Sequence, residues 1–146
     1  AKKWELVGLL HDLDYEKTLG DKGQHGLVAS KMLEGKLPED CLHAIRTHDR
    51  RTGLKPESVM DKALIAADCF WGLILRAAWA TSKKKIRQIK VSMMMDIFRD
   101  ASFPKFLADG ILMCREINFT PEEFFEFALE SLPEEMSLYK IDLGTP

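Results

Sequence analysis

The sequence predicts an all-α protein, a bundle of about six to eight helices, and three observations predict it. Apolar residues recur at helical spacing along most of the chain. No Val/Ile/Thr-rich alternating run bounded by Asn-Gly or Asp-Gly turns is present, so strands have no support. No internal repeat occurs that would indicate a solenoid. At 146 residues the chain matches one ordinary domain, predicted to span residues 1–146.

Trp4 to Leu13 reads as the first helix. A polar, Gly-containing loop from Asp14 to Gly23 leads to a second, about Gln24 to Glu34, stopped by Gly35 and Pro38. Pro38 starts a third helix that runs to about Asp49. The Arg50 to Pro56 loop carries Gly53 and Pro56 and precedes a long fourth helix, about Glu57 to Ala80. Lys83 to Lys90 is a basic connector. Helices near Val91 to Asp100 and Pro104 to Glu116 follow, and Thr120-Pro121-Glu122-Glu123 is a capping-box start for a last helix from Pro121 to Leu132. The motif-bearing part is 4–80, and helices within 91–141 complete the bundle.

With 46% apolar and 30% charged residues the chain is neither disordered nor of low complexity. Its 21 basic and 23 acidic side chains give a net charge of -2, with no global pull toward nucleic acid or an anionic membrane. Cys41, Cys69 and Cys114 are odd in number and widely spaced, which argues against a disulfide framework and for a reducing, cytoplasmic setting. The apolar run Ala63 to Ala80 carries Asp68 and Arg76 and reads as a core helix, not a membrane span. The chain opens on an apolar helical pattern within three residues, as a fragment that has lost its first element would.

Helical spacing assigns each polar residue inward or outward. His25 shares the apolar face of Val28, Ala29 and Met32. His48 lines up with Cys41, Ala44 and Ile45, whereas His43 falls on the outer side with Arg46 and Thr47. His11 lies at the edge of the stripe that holds Trp4 and Val7, with Asp12 beside it. Asp68 is the anomaly: Leu64, Ile65, Trp71, Gly72 and Leu75 surround it, so it is expected to be buried. An isolated buried carboxylate costs several kcal/mol, so it must be protonated, paired or bound to a cation. Gly72 and Gly8 remove bulk beside Asp68 and Asp12, which suits the approach of an ion or another helix.

Taken singly, an inward histidine is a satisfied core residue and a buried aspartate a cap or ion-pair partner. Taken together, His11, Asp12, His25, His48 and Asp68 supply imidazole nitrogen and carboxylate oxygen, which favour Mn, Fe, Co, Ni or Zn over Mg. One or two such ions are expected.

The segments LVGLLHDLDYE, HGLVASKML, CLHAIRTHD and DKALIAADCFWGLI, in that order, resemble the HD superfamily of metal-dependent phosphohydrolases, most of all a small group of predicted HD-type hydrolases. The resemblance covers residues 4 to 80. It implies an all-α fold in which His11, Asp12 and Asp68 bind a first metal, while His25 and His48 bind a second ion or the substrate phosphate. It also implies a further histidine on an earlier helix, and the first ten residues contain none. A fragment, a ligand from another subunit or water, or a module that binds metal weakly without catalysis would each account for this; the fragment ranks first. Where many relatives have Gly and Lys after the doublet, this chain has Asp14 and Glu16, which read as a solvated loop with an extra acid or base as the alternative.

The implied chemistry is metal-assisted hydrolysis that releases phosphate from a small phosphorylated metabolite or nucleotide, with Asp12 or Asp68 orienting the attacking water. Arg46, Arg50, Arg51 and Lys55 cluster near the end of the His48 helix and could hold the phosphate; a solvated surface is the alternative. The competing readings are a non-catalytic module that binds a phosphorylated ligand or protein partner, and a di-iron oxygenase on the same scaffold. Lys83, Lys84, Lys85, Arg87 and Lys90 form a solvated connector, with nucleic-acid binding last in rank. Gly20, Gly23 and Gly26 read as loop residues, and Met93, Met94 and Met95 as core filler. Phe124, Phe127 and Ala128 share a face assigned to the core, with a dimer contact as the alternative.

Overall fold

Two helix starts in this chain are set by local capping groups and a third by a distant one. The computed structural model describes residues 1–80 and 88–132. Among the described residues there are seven α-helices and no strand: α1 (Lys2–Leu10), α2 (Leu27–Leu33), α3 (Glu39–Thr47), α4 (Val59–Ala80), α5 (Val91–Arg99), α6 (Lys105–Ile111) and α7 (Pro121–Glu130). The all-α expectation therefore holds. Of the basic run, Lys83, Lys84, Lys85 and Arg87 lie outside the described residues, as does the stretch 133–141 of the expected C-terminal helices.

Thr120 caps α7 with the predicted capping box, its hydroxyl accepting from the Glu123 amide while the Glu123 carboxylate accepts from the Thr120 amide. Ser58 does the same for α4. Its hydroxyl accepts from the Asp61 amide at 3.1 Å, and Asp61 accepts from the Ser58 amide at 3.0 Å. Helix α2 begins three residues later than the spacing predicts. Gly26 holds a φ of +82°, which ends any continuous helix from Gln24, and Lys22–Gln24 is instead a short 3-10 turn.

The chain divides into two compact units, Ala1–Asp68 and Cys69–Pro146, with the boundary inside α4. In the first, α3 packs against α1 and α2. Its core joins Val7, Ala29, Leu33, Ala44, Ile45 and Leu64. In the second, Phe70 sits edge-on to Phe124 at 5.5 Å, and Phe98 packs on Phe125 at 5.6 Å. Met94 is fully buried there, in keeping with its reading as filler. Phe127 is not in this core: it is 59% exposed and packs on Phe119 at 5.9 Å, because the buried face of α7 runs through Phe124 and the adjacent Phe125.

By length and composition α4 could cross a membrane, and 33% of its most apolar window is buried within the protein. Gly72 serves helix packing, not an ion. A Cβ there would meet Leu107 Cδ1 at 2.9 Å, so the missing side chain admits α6. Gly8 faces open space.

Candidate metal centre

The three site histidines sit at helix boundaries, not within helix faces. His11 ends α1, His25 precedes Gly26 at the start of α2, and His48 ends α3. At a boundary the last helical carbonyls lack amide partners, and the ring nitrogens satisfy them. His11 Nδ1 donates to the Gly8 carbonyl at 2.8 Å, and His48 Nδ1 donates to the Ile45 carbonyl at 2.7 Å. His25 Nδ1 lies 2.8 Å from Asp14 Oδ1, where the carboxylate accepts.

Each ring thereby turns Nε2 toward a common space. His25 Nε2 and His48 Nε2 are 3.2 Å apart. Asp12 Oδ1 lies 3.0 Å from His25 Nε2 and 3.7 Å from His48 Nε2, and its Oδ2 lies 3.3 Å from His11 Nε2. Asp68 Oδ1 is 3.8 Å from His11 Nε2. All five residues predicted for the site meet here. One donor atom each from His11, Asp12 and His48 falls within 4.8 Å of the other two, so this group could hold a metal ion.

Two further observations suit a cation at this cluster. His11 Nε2 is buried and finds no hydrogen-bond partner among the described residues. With both Nδ1 protons committed, the neutral rings of His25 and His48 would face each other lone pair to lone pair, an arrangement that a proton or a metal cation relieves. Histidine ligands of metals characteristically donate their other N–H to a carbonyl or carboxylate, as all three rings do here.

Charge gathers accordingly. Burial works against charging His11, yet the carboxylates of Asp12 and Asp68 outweigh it and the imidazole is pushed up to about 10. The His11 and His48 rings in turn hold the Asp12 carboxyl well below the usual carboxylate range.

Asp68 departs from expectation in its burial. Its side chain is 43% exposed, so it opens to solvent at the rim of the cluster, and no buried-charge argument applies to it. Ala67 beside it is exposed as well, and Ile65, Trp71 and Leu75 are only half-buried, so this side of α4 is not closed over. The walled-in carboxylate of this site is Asp14, which is 0% exposed. It was read as solvated, and it is instead the acceptor for the Gly26 amide at 2.9 Å, the Ala29 amide at 2.8 Å and the His25 ring. One sequence signal pointed to it: α2 lacks a Ser, Thr, Asp or Asn at its start, so its first amides needed an acceptor from elsewhere.

Gly26 is more than a loop residue. A Cβ there would lie 2.5 Å from the Ile45 carbonyl and 3.2 Å from the His48 ring, so the close approach of α2 to α3 at the site requires glycine. His43 is half-buried, not outward, because the fully buried Asp61 needs a donor and takes the His43 Nδ1–H at 2.9 Å. Thr47, expected on the outer side, is buried.

Arg46 and Arg51, both proposed for phosphate, each pair with an acid. Arg46 pairs with Glu39 and donates to Ser30 Oγ at 3.1 Å, and Arg51 pairs with Asp49. Arg50 and Lys55 are exposed. Glu16, the other acid after the doublet, is exposed as expected. No protein-family model matches this chain, and neither a curated protein nor a solved structure matches it significantly.

Proposed function

We propose that this chain is a metal-dependent phosphohydrolase of the HD type, acting on a small phosphorylated metabolite or nucleotide. The observation that carries the reading is the convergence of the His11, His25 and His48 Nε2 atoms on Asp12, with every Nδ1 engaged away from the centre. His11, Asp12 and His48 would hold the metal, with Asp68 and His25 in reach of the same space. Nitrogen donors outnumber carboxylates, which favours Mn, Fe, Co, Ni or Zn. When bound, such an ion supplies Lewis acidity and lowers the pKa of water.

The residues of the chain supply the rest. Asp12 and Asp68 are each about half exposed, so they can orient a water at the mouth of the cluster. Arg50 and Lys55 lie on the loop after α3 and can attract an anionic substrate. The cytoplasmic setting and the absence of a membrane role belong to the same proposal.

A non-catalytic module that binds a phosphorylated ligand or a protein partner is the second reading. The test is phosphate release from a panel of nucleotides and sugar phosphates with Mn, Fe, Co, Ni, Zn or Mg added. Turnover that vanishes in His11→Ala supports the enzyme. Metal binding without turnover on any member supports the module, and neither binding nor turnover refutes both.

A further inference from the structure

We propose that Asp14 is the positioning residue for His25: its buried carboxylate holds the proton on Nδ1 and so turns Nε2 toward Asp12 and His48. The use of Nε2 as a ligand rests on the metal-centre reading above; the proton on Nδ1 does not. The two oxygens of Asp14 have divided duties. Oδ2 accepts both the Gly26 amide at 2.9 Å and the Ala29 amide at 2.8 Å, while Oδ1 alone faces His25 Nδ1 at 2.8 Å. A carboxylate offers only acceptors, so the ring must donate there.

Thr18 enforces the same choice. Its hydroxyl proton goes to the Asp14 carbonyl at 3.0 Å, which leaves only a lone pair toward His25 Nδ1 at 3.5 Å. Tyr15 closes the outer side with its ring 5.7 Å from the His25 ring, edge to face. A single acid thus caps α2, whose start has no side-chain cap of its own, and sets the face that the adjacent histidine shows to the cluster.

Asp14→Asn separates these duties because an amide has one acceptor and one donor. The oxygen must take the Oδ2 position, since the reverse orientation sets an N–H₂ against two backbone N–H groups. The N–H₂ then faces His25 Nδ1, which must accept, and the proton moves to Nε2. The helix cap survives and the tautomer inverts, an outcome that a purely structural role would not produce.

The experiment uses the full, metal-free chain labelled with 15N-histidine, at a mildly alkaline pH, with nitrogen shifts read for His25. Wild type is expected to carry a proton on Nδ1; in Asp14→Asn Nδ1 is expected to lose it and Nε2 to hold the proton, with unchanged far-UV circular dichroism. A wild-type ring without a proton on Nδ1 overturns the proposal, and this arm decides it even if the variant fails to fold. A folded variant with an unchanged tautomer also overturns it. Calorimetric titration with Mn2+ forms the second arm, in which the variant is expected to bind at least about tenfold more weakly. Wild type that takes up no Mn2+ while the tautomer inverts refutes the metal centre and leaves the role of Asp14 standing.

Discussion

Raising the pH from about 6.5 to about 8.5 is expected to tighten Mn2+ binding by about 100-fold, because the ion must displace a proton from His11. The magnitude follows from the site. In the metal-free chain burial opposes the charge on His11, but Asp12 at 3.3 Å and Asp68 at 3.8 Å push its pKa up to about 10, so the ring is an imidazolium throughout that range. Binding that releases one proton strengthens about tenfold for each pH unit below the pKa of the displaced group. Asp12 adds no further dependence, since its carboxyl titrates far below this window. Calorimetry in two buffers of different ionisation enthalpy counts the protons directly, and about one should be released per ion at neutral pH. A flat pH profile with no proton release would refute the assignment of His11 as a ligand. The metal-free protein should show the opposite trend in stability. A folded pKa raised above the unfolded value of 6.5 contributes stability that is fully present below pH 6.5 and is lost as pH rises through about 10.

The exchange of roles between Asp14 and Asp68 predicts that Asp68→Asn changes folding stability by no more than about 0.5 kcal/mol, whereas Asp14→Ala, which strands two amides and a ring N–H, costs about 3 kcal/mol; urea denaturation of both variants checks the pair, and equal costs would contradict the burial of Asp14. Gly26→Ala should lose at least about 2 kcal/mol from its positive φ and its overlap with the Ile45 carbonyl. Gly8→Ala meets nothing and should gain up to about 1 kcal/mol, so thermal melts shifting the two glycine variants in the same direction would count against this packing. Thr120→Ala removes the capping box of α7 and should cost about 1 kcal/mol in the same melts, an effect that a silent substitution would deny.

The sequence-based reading recovered the helices because helical period and capping chemistry are local. Thr120 and Pro121 mark the start of α7 within the chain segment that forms it, and Pro38 does so for α3. It also singled out the five polar residues that meet in the cluster, through the joint oddity of polar groups on apolar stripes. What it missed is non-local. Helical wheels placed His25 on a helix face, yet Gly26 breaks the chain there because α3 passes too close for any side chain. Asp14 looked like a loop acid because its three donors come from a segment on the far side of a turn. Asp68 looked buried because neighbours along a helix say nothing about whether another element covers that turn. His43 illustrates the same limit, since the acid that turns it inward, Asp61, lies on a different helix.

The claim on which the account depends is that the histidine cluster exists to hold a transition metal. Equilibrium dialysis of the full chain against Mn2+ and against Zn2+, followed by elemental analysis, tests it most directly. The account predicts at least one ion per chain for wild type, lost in His11→Ala and His48→Ala variants that retain native helical circular dichroism. A wild-type chain that emerges without metal, or variants that keep as much as wild type, would contradict it.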